Sequence, residues 1–124
     1  MELKFPRELL DDADGLLTYE YIANHIATCA PLMNDLVDNM ISVDKSGQFL
    51  VSAARYLCAI DRHAYDTHVS RLIAAAIERD RERKYIGDLL PSVWGEDYAS
   101  KVEELKQSDN NFRRIYKRLF PTGI

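Results

Sequence analysis

Apolar or small residues recur at Ile22, Ile26, Cys29, Met33, Leu36 and Met40, with spacings of 4, 3, 4, 3 and 4. That rhythm belongs to one face of a helix. Thr18 is a suitable N-cap for it, and Pro31 falls inside the run without shifting its phase. A proline in a helix interior removes a backbone donor and crowds the preceding turn, at a cost of about 3 kcal/mol. The pattern therefore predicts a helix over about 18–42, kinked at Pro31. Two helices meeting at Pro31 are the alternative. Upstream, Pro6, Leu9, Leu10 and Gly15 suit a short leading element that stops at the glycine.

Asp44-Lys45-Ser46-Gly47 reads as a turn. Beyond it, Leu50, Ala54, Leu57, Asp61, Ala64, His68, Leu72 and Ala75 carry the same rhythm, and no Pro or Gly intervenes before Gly87. The expectation is a single long helix over about 48–85, antiparallel to the first, its charged last turns from Glu78 to Lys84 overhanging into solvent. Residues 86–95 form an apolar loop carrying Leu89, Leu90, Val93 and Trp94, which must fold back on a core or meet a partner. A last helical region covers about 96–107 and 109–120. No internal repeat is evident beyond a faint echo between Tyr85–Pro91 and Tyr116–Pro121. The fold class is all-α: a single domain over 1–124, a helical bundle built on a long antiparallel helical hairpin with C-terminal helices.

Composition narrows the class. With 47 % hydrophobic and 29 % charged residues, the chain falls outside the disordered and low-complexity classes. Five Gly and four Pro are too few for a sandwich or barrel of many tight turns. The longest apolar run, Leu72 to Ile77, is far short of the roughly 20 residues of a membrane span. Met1 to Pro6 lacks a basic region followed by an apolar stretch, so no secretory signal is read and a cytoplasmic protein is expected.

Charge is uneven along the chain. The net charge is −4, yet residues 1–70 carry 11 acids and 5 bases, whereas residues 71–124 carry 9 acids and 11 bases. Within Phe112 to Phe120, Arg113, Arg114, Lys117 and Arg118 lie beside an apolar stripe of Phe112, Ile115, Tyr116 and Leu119. Such a helix suits docking on a bundle, or contact with nucleic acid, an acidic protein or anionic lipid. Thr18 to Ala23 resembles the opening helix of helix-turn-helix proteins, but Cys29-Ala30-Pro31 stands where the turn to a recognition helix would be.

Signatures of catalysis are missing: there is no Gly-rich phosphate loop, Gly-x-Ser-x-Gly elbow, His-Glu-x-x-His or Cys-x-x-Cys. One constellation follows from register. If the two long helices pair about the 44–47 turn, His25, Cys29, Asp61, Tyr65 and His68 converge inside the hairpin. A hydrogen-bonded network that fixes register is the simpler account of it. A metal or small-ligand site is the other, although Asp61 and His68 lie about 10 Å apart along a helix of ~1.5 Å rise.

The function expected is therefore non-enzymatic. The chain reads as an accessory or regulatory subunit acting through protein–protein contacts, with self-association compatible and no cofactor or metal required. Its interaction surface is expected to draw on Leu90, Val93, Trp94, Phe112, Tyr116, Arg113, Arg114, Lys117 and Arg118. A nucleic-acid-binding regulator using the basic segments 79–84 and 113–118 is the alternative. A ligand site in the hairpin is the third reading.

Overall fold

The structure, a computed structural model, describes residues 4–121. The opening Met1 to Leu3, part of the Met1 to Pro6 stretch read above, and the closing Thr122 to Ile124 lie outside the described residues. Seven α-helices and no strand occur among the described residues. They are α1 Leu16–Asn24, α2 Met33–Val43, α3 Gln48–Asp61, α4 Asp66–Arg79, α5 Leu89–Trp94, α6 Val102–Ser108 and α7 Asn110–Leu119. The all-helical class stands, but the long hairpin does not.

Two corners replace the expected long helices. The 18–42 segment is α1 and α2, separated by a turn and a short 3-10 element, Ala30–Leu32, that accommodates Pro31 near its start. The 48–85 segment breaks at 62–65, where the Asp61 carboxylate accepts the Ala64 N–H at 3.0 Å and the Asp61 carbonyl accepts the Tyr65 N–H at 3.1 Å. Four turn residues are close to the 3.6 of one helical turn, which is why the spacing in the sequence keeps helical phase across the corner, although Asp61 and Ala64 there are exposed. No charged overhang follows α4 either, because the chain turns back at Asp80.

Three buried aspartates organise the molecule. Asp12, Asp44 and Asp80 lie 32 and 36 residues apart, and each occupies a turn that leads into a helix. One carboxylate oxygen of each accepts the N–H six residues on, from Thr18, Leu50 and Ile86, at 2.8, 2.9 and 2.9 Å. The Asp44 carboxylate also accepts the N–H groups of Ser46, Gly47 and Phe49. These are donors with no partner inside the helix that follows, and a carboxylate at a helix N-terminus meets both that need and the helix dipole.

The turns stack on one another. Gly15 and Gly47 occupy matching places with φ of 106° and 90°. A Cβ on Gly15 would sit 3.3 Å from Cβ of Asp44, and one on Gly47 would sit 3.1 Å from Cβ of Asp80. Each glycine thus leaves room for the next turn. Arg83 fills the matching place in the third turn, also at positive φ, and donates to the Arg118 carbonyl. Arginines tie the units together: Arg79 donates to the Asp44 carbonyl at 2.6 Å, and Arg118 to the Asp80 carbonyl at 3.0 Å.

The result is a repeat architecture. Helices α1, α3 and α5 pack in one layer, and α2, α4 and α7 in the other. Ile22, Leu36, Met40, Leu50, Leu57 and Leu72 are fully buried in a core that continues through Ile86, Leu89, Phe112 and Ile115. Units that each cannot bury their apolar face alone become stable by stacking.

Two variants check the stacked turns. Asp44→Ala, which strands four N–H groups, is expected to cost about 3 kcal/mol in urea unfolding. Gly47→Ala is expected to cost about 2 kcal/mol through positive φ and the close approach of Asp80. Gly87→Ala, whose nearest contact would be Leu119 at 3.7 Å, should be nearly neutral and serves as the comparison.

Candidate interaction surface

Helix α7 is set by Asp109. One carboxylate oxygen caps the helix by accepting the Phe112 N–H at 3.2 Å, and the other accepts the Trp94 indole N–H at 2.8 Å. Trp94 meets Phe112 edge-on at 5.3 Å between ring centroids, and Phe112 stacks with Tyr116 at 5.7 Å. Lys106 lies over the Tyr116 ring at 4.8 Å. The apolar segment 86–95 has therefore folded back: Leu90 and Phe112 are buried, and Val93, Trp94 and Tyr116 are half-buried against the core. In this packing the aromatic residues expected to face a partner hold the C-terminal end together.

The bases of α7 other than Arg118 remain outward. Arg113 is exposed beside Asn110, Arg114 reaches within 4.0 Å of Glu78, and Lys117 is exposed. Arg118 is half-buried and donates to the carbonyls of Ile77, Asp80 and Arg81. Through Arg118 and Arg83 the fold joins the two basic segments, 79–84 and 113–118, although some thirty residues separate them. Arg79 turns inward to Asp44, and Lys84 pairs with Glu82 at 3.0 Å.

Between α4 and α7 lies a groove of about 430 Å³ lined by Ile77, Arg114, Lys117, Arg118 and Pro121. The sequence offered the bases but not Ile77 or Pro121, because only the packing of α7 on α4 places them together. A second groove of about 490 Å³ crosses α1, α3 and α5 at Tyr19, Ser52, Tyr56 and Ser92. There Arg55 donates to Ser92 at 2.9 Å and the Tyr56 hydroxyl to the Ala23 carbonyl at 3.4 Å, so its polar groups are largely engaged within the fold.

The expected cluster in the hairpin does not assemble. Its register assumed that α2 pairs with α3, whereas both pack mainly on α4. His25 is exposed and stacked on Tyr21 at 4.1 Å, with Nδ1 3.0 Å from the Tyr21 carbonyl. Cys29 is buried, which pushes its thiol pKa up. Asp61 is exposed in the corner turn. Tyr65 and His68 are neighbours at 6.4 Å. Among the described residues no three His, Cys, Asp or Glu side chains gather as they would to hold a metal ion. No helix among the described residues is long and apolar enough to cross a membrane. No protein-family model, curated protein or solved structure matches this chain.

His68 carries a buried Nδ1 with no hydrogen-bond partner among the described residues. Burial, and then the charge of Arg71, lower its pKa below the ordinary histidine value. The unfolded chain then binds more protons than the folded one as pH falls through about 6.5, so folding loses stability there. Thermal melts between pH 7.5 and 5.5 should show His68→Phe losing less stability on acidification than the parent. An identical loss would remove His68 from the account.

Proposed function

We propose that this chain is a non-enzymatic interaction module that holds an acidic, leucine-bearing protein segment in the groove between α4 and α7. The observation that carries this reading is the gathering of three α7 bases, Arg114, Lys117 and Arg118, beside Pro121 and the end of α4 in one groove. Pro121 and the methylene stems of the lining bases offer an apolar floor to an aliphatic side chain, with Ile77 buried beneath them, while Arg114 and Lys117 stand where its flanking carboxylates would lie. The three carbonyls that Arg118 engages hold it in place before any partner arrives, which lowers the ordering cost of binding. The buried carboxylates of Asp12, Asp44 and Asp80 are engaged by backbone donors, and so they support architecture rather than chemistry.

Nucleic acid is the second reading, favoured by the same joined bases. It is the weaker of the two. A phosphate backbone has no use for the apolar floor, and a net charge of −4 opposes approach to a polyanion.

Fluorescence anisotropy separates the two, using a labelled synthetic peptide of glutamate and leucine and a labelled single-stranded oligonucleotide. The peptide should bind, should weaken about tenfold with Lys117→Glu, and should lose affinity as salt rises. Failure of the peptide to bind at low salt would overturn the proposal. Binding of the oligonucleotide alone would replace it with the nucleic-acid reading.

A further inference from the structure

The segment Glu8 to Leu17 reads Glu-Leu-Leu-Asp-Asp-Ala-Asp-Gly-Leu-Leu, with four acids and no base. It lies in the first unit, at the opposite end of the stack from α7. Leu9, Asp12 and Gly15 are buried there, which leaves Leu10, Leu16 and Leu17 exposed at 58, 42 and 50 %. Only five large apolar side chains are exposed among the described residues, and these are three of them.

The repeat shows why this exposure is unusual. Leu16 holds the place that Gln48 and Lys84 hold in the later units, and both of those are exposed and polar. Leu17 holds the place of Phe49 and Tyr85, which are half-buried. Phe49 packs beside Gly15 of the preceding turn, a neighbour that Leu17 lacks among the described residues. The first unit therefore presents leucines where the others present polar or covered groups, and it surrounds them with Glu8, Asp11 and Asp14.

We infer that the groove between α4 and α7 receives the Glu8–Leu17 end of a second copy of this chain, so that copies associate head to tail. The inference rests on the groove being a binding site for an acidic segment, and it names the bearer of that segment. Charge complementarity supports it: Glu8 and Asp11 would meet Arg114 and Lys117, and Leu10 would lie on Pro121 and the methylene stems of the lining bases. A symmetric joining of two first units would instead place like acids against each other. Because the end and the groove are different surfaces, each copy both gives and receives, and the contact propagates or closes a ring.

Sedimentation equilibrium of the whole chain over a range of concentration and salt tests this. The parent should form reversible species larger than a monomer that dissociate as salt rises. Lys117→Glu in the groove, and Leu10→Ser with Leu17→Ser at the end, should each leave the chain folded by circular dichroism and weaken association about tenfold or more. Mixed, the two variants retain one sound end and one sound groove, so the mixture should form a dimer and nothing larger. A monomeric parent that still binds the glutamate–leucine peptide would overturn self-association and leave the groove reading standing. A parent that binds neither would remove both. Association unaffected by Lys117→Glu would also overturn the head-to-tail contact.

Discussion

Four backbone N–H groups converge on the Asp44 carboxylate, those of Ser46, Gly47, Phe49 and Leu50, all at 2.8 or 2.9 Å. The rest of the structure depends on that convergence and on its counterparts at Asp12 and Asp80. A helix beginning inside a protein leaves its first donors without partners, and each buried donor left so costs about 1–3 kcal/mol. A single carboxylate meets several of these needs at once. It can do so while buried because its own charge is stabilised by the donors it satisfies. At Asp12 burial opposes ionisation, yet the Thr18 hydroxyl and the N–H groups of Thr18, Gly15 and Asp14 outweigh it and hold the carboxyl below its ordinary pKa. With the turns compact, glycines at positive φ let one turn approach the next, and Arg79 and Arg118 close the spacing by bonding to turn carbonyls.

Much of the core was legible from the chain. The 4/3 rhythm picked out Ile22, Cys29, Met33, Leu36, Met40, Leu50, Ala54, Leu57 and Leu72, which are buried, but also Ile26, His68 and Ala75, which are half-buried, and Asp61 and Ala64, which are exposed. The same rhythm could not locate the corner at 62–65, because a four-residue turn preserves helical phase and neither Pro nor Gly marks it. Together with the missed corner between α1 and α2, that error moved α2 onto the wrong neighbour and produced the cluster of His25, Cys29, Asp61, Tyr65 and His68. The repeat was within reach. Asp12-x-x-Gly15 and Asp44-x-x-Gly47 share a pattern, but Arg83 stands in the glycine place of the third unit and conceals the period.

The surface follows from the same architecture. In a stack of units, order along the chain becomes order along the molecule. The surplus of acids in residues 1–70 and of bases in residues 71–124 is therefore a separation of charge between the two ends of the stack. Neither end was fully readable in advance. The bases of α7 were visible as a stripe, but the aromatic residues beside them turned inward once Asp109 bound both the Phe112 N–H and the Trp94 indole. What remains outside is a basic groove at one end and acidic leucines at the other, and the interaction reading draws on that pairing.

Amide hydrogen exchange followed by NMR tests the role of the aspartate turns most directly. The Leu50 and Ile86 amides each donate to a buried carboxylate instead of to a helical carbonyl. They should exchange as slowly as amides in the middle of α3 and α4, opening only when the whole fold opens. Exchange at the rate of an exposed loop amide would show that the turns do not hold the stack, and the account built on them would fail.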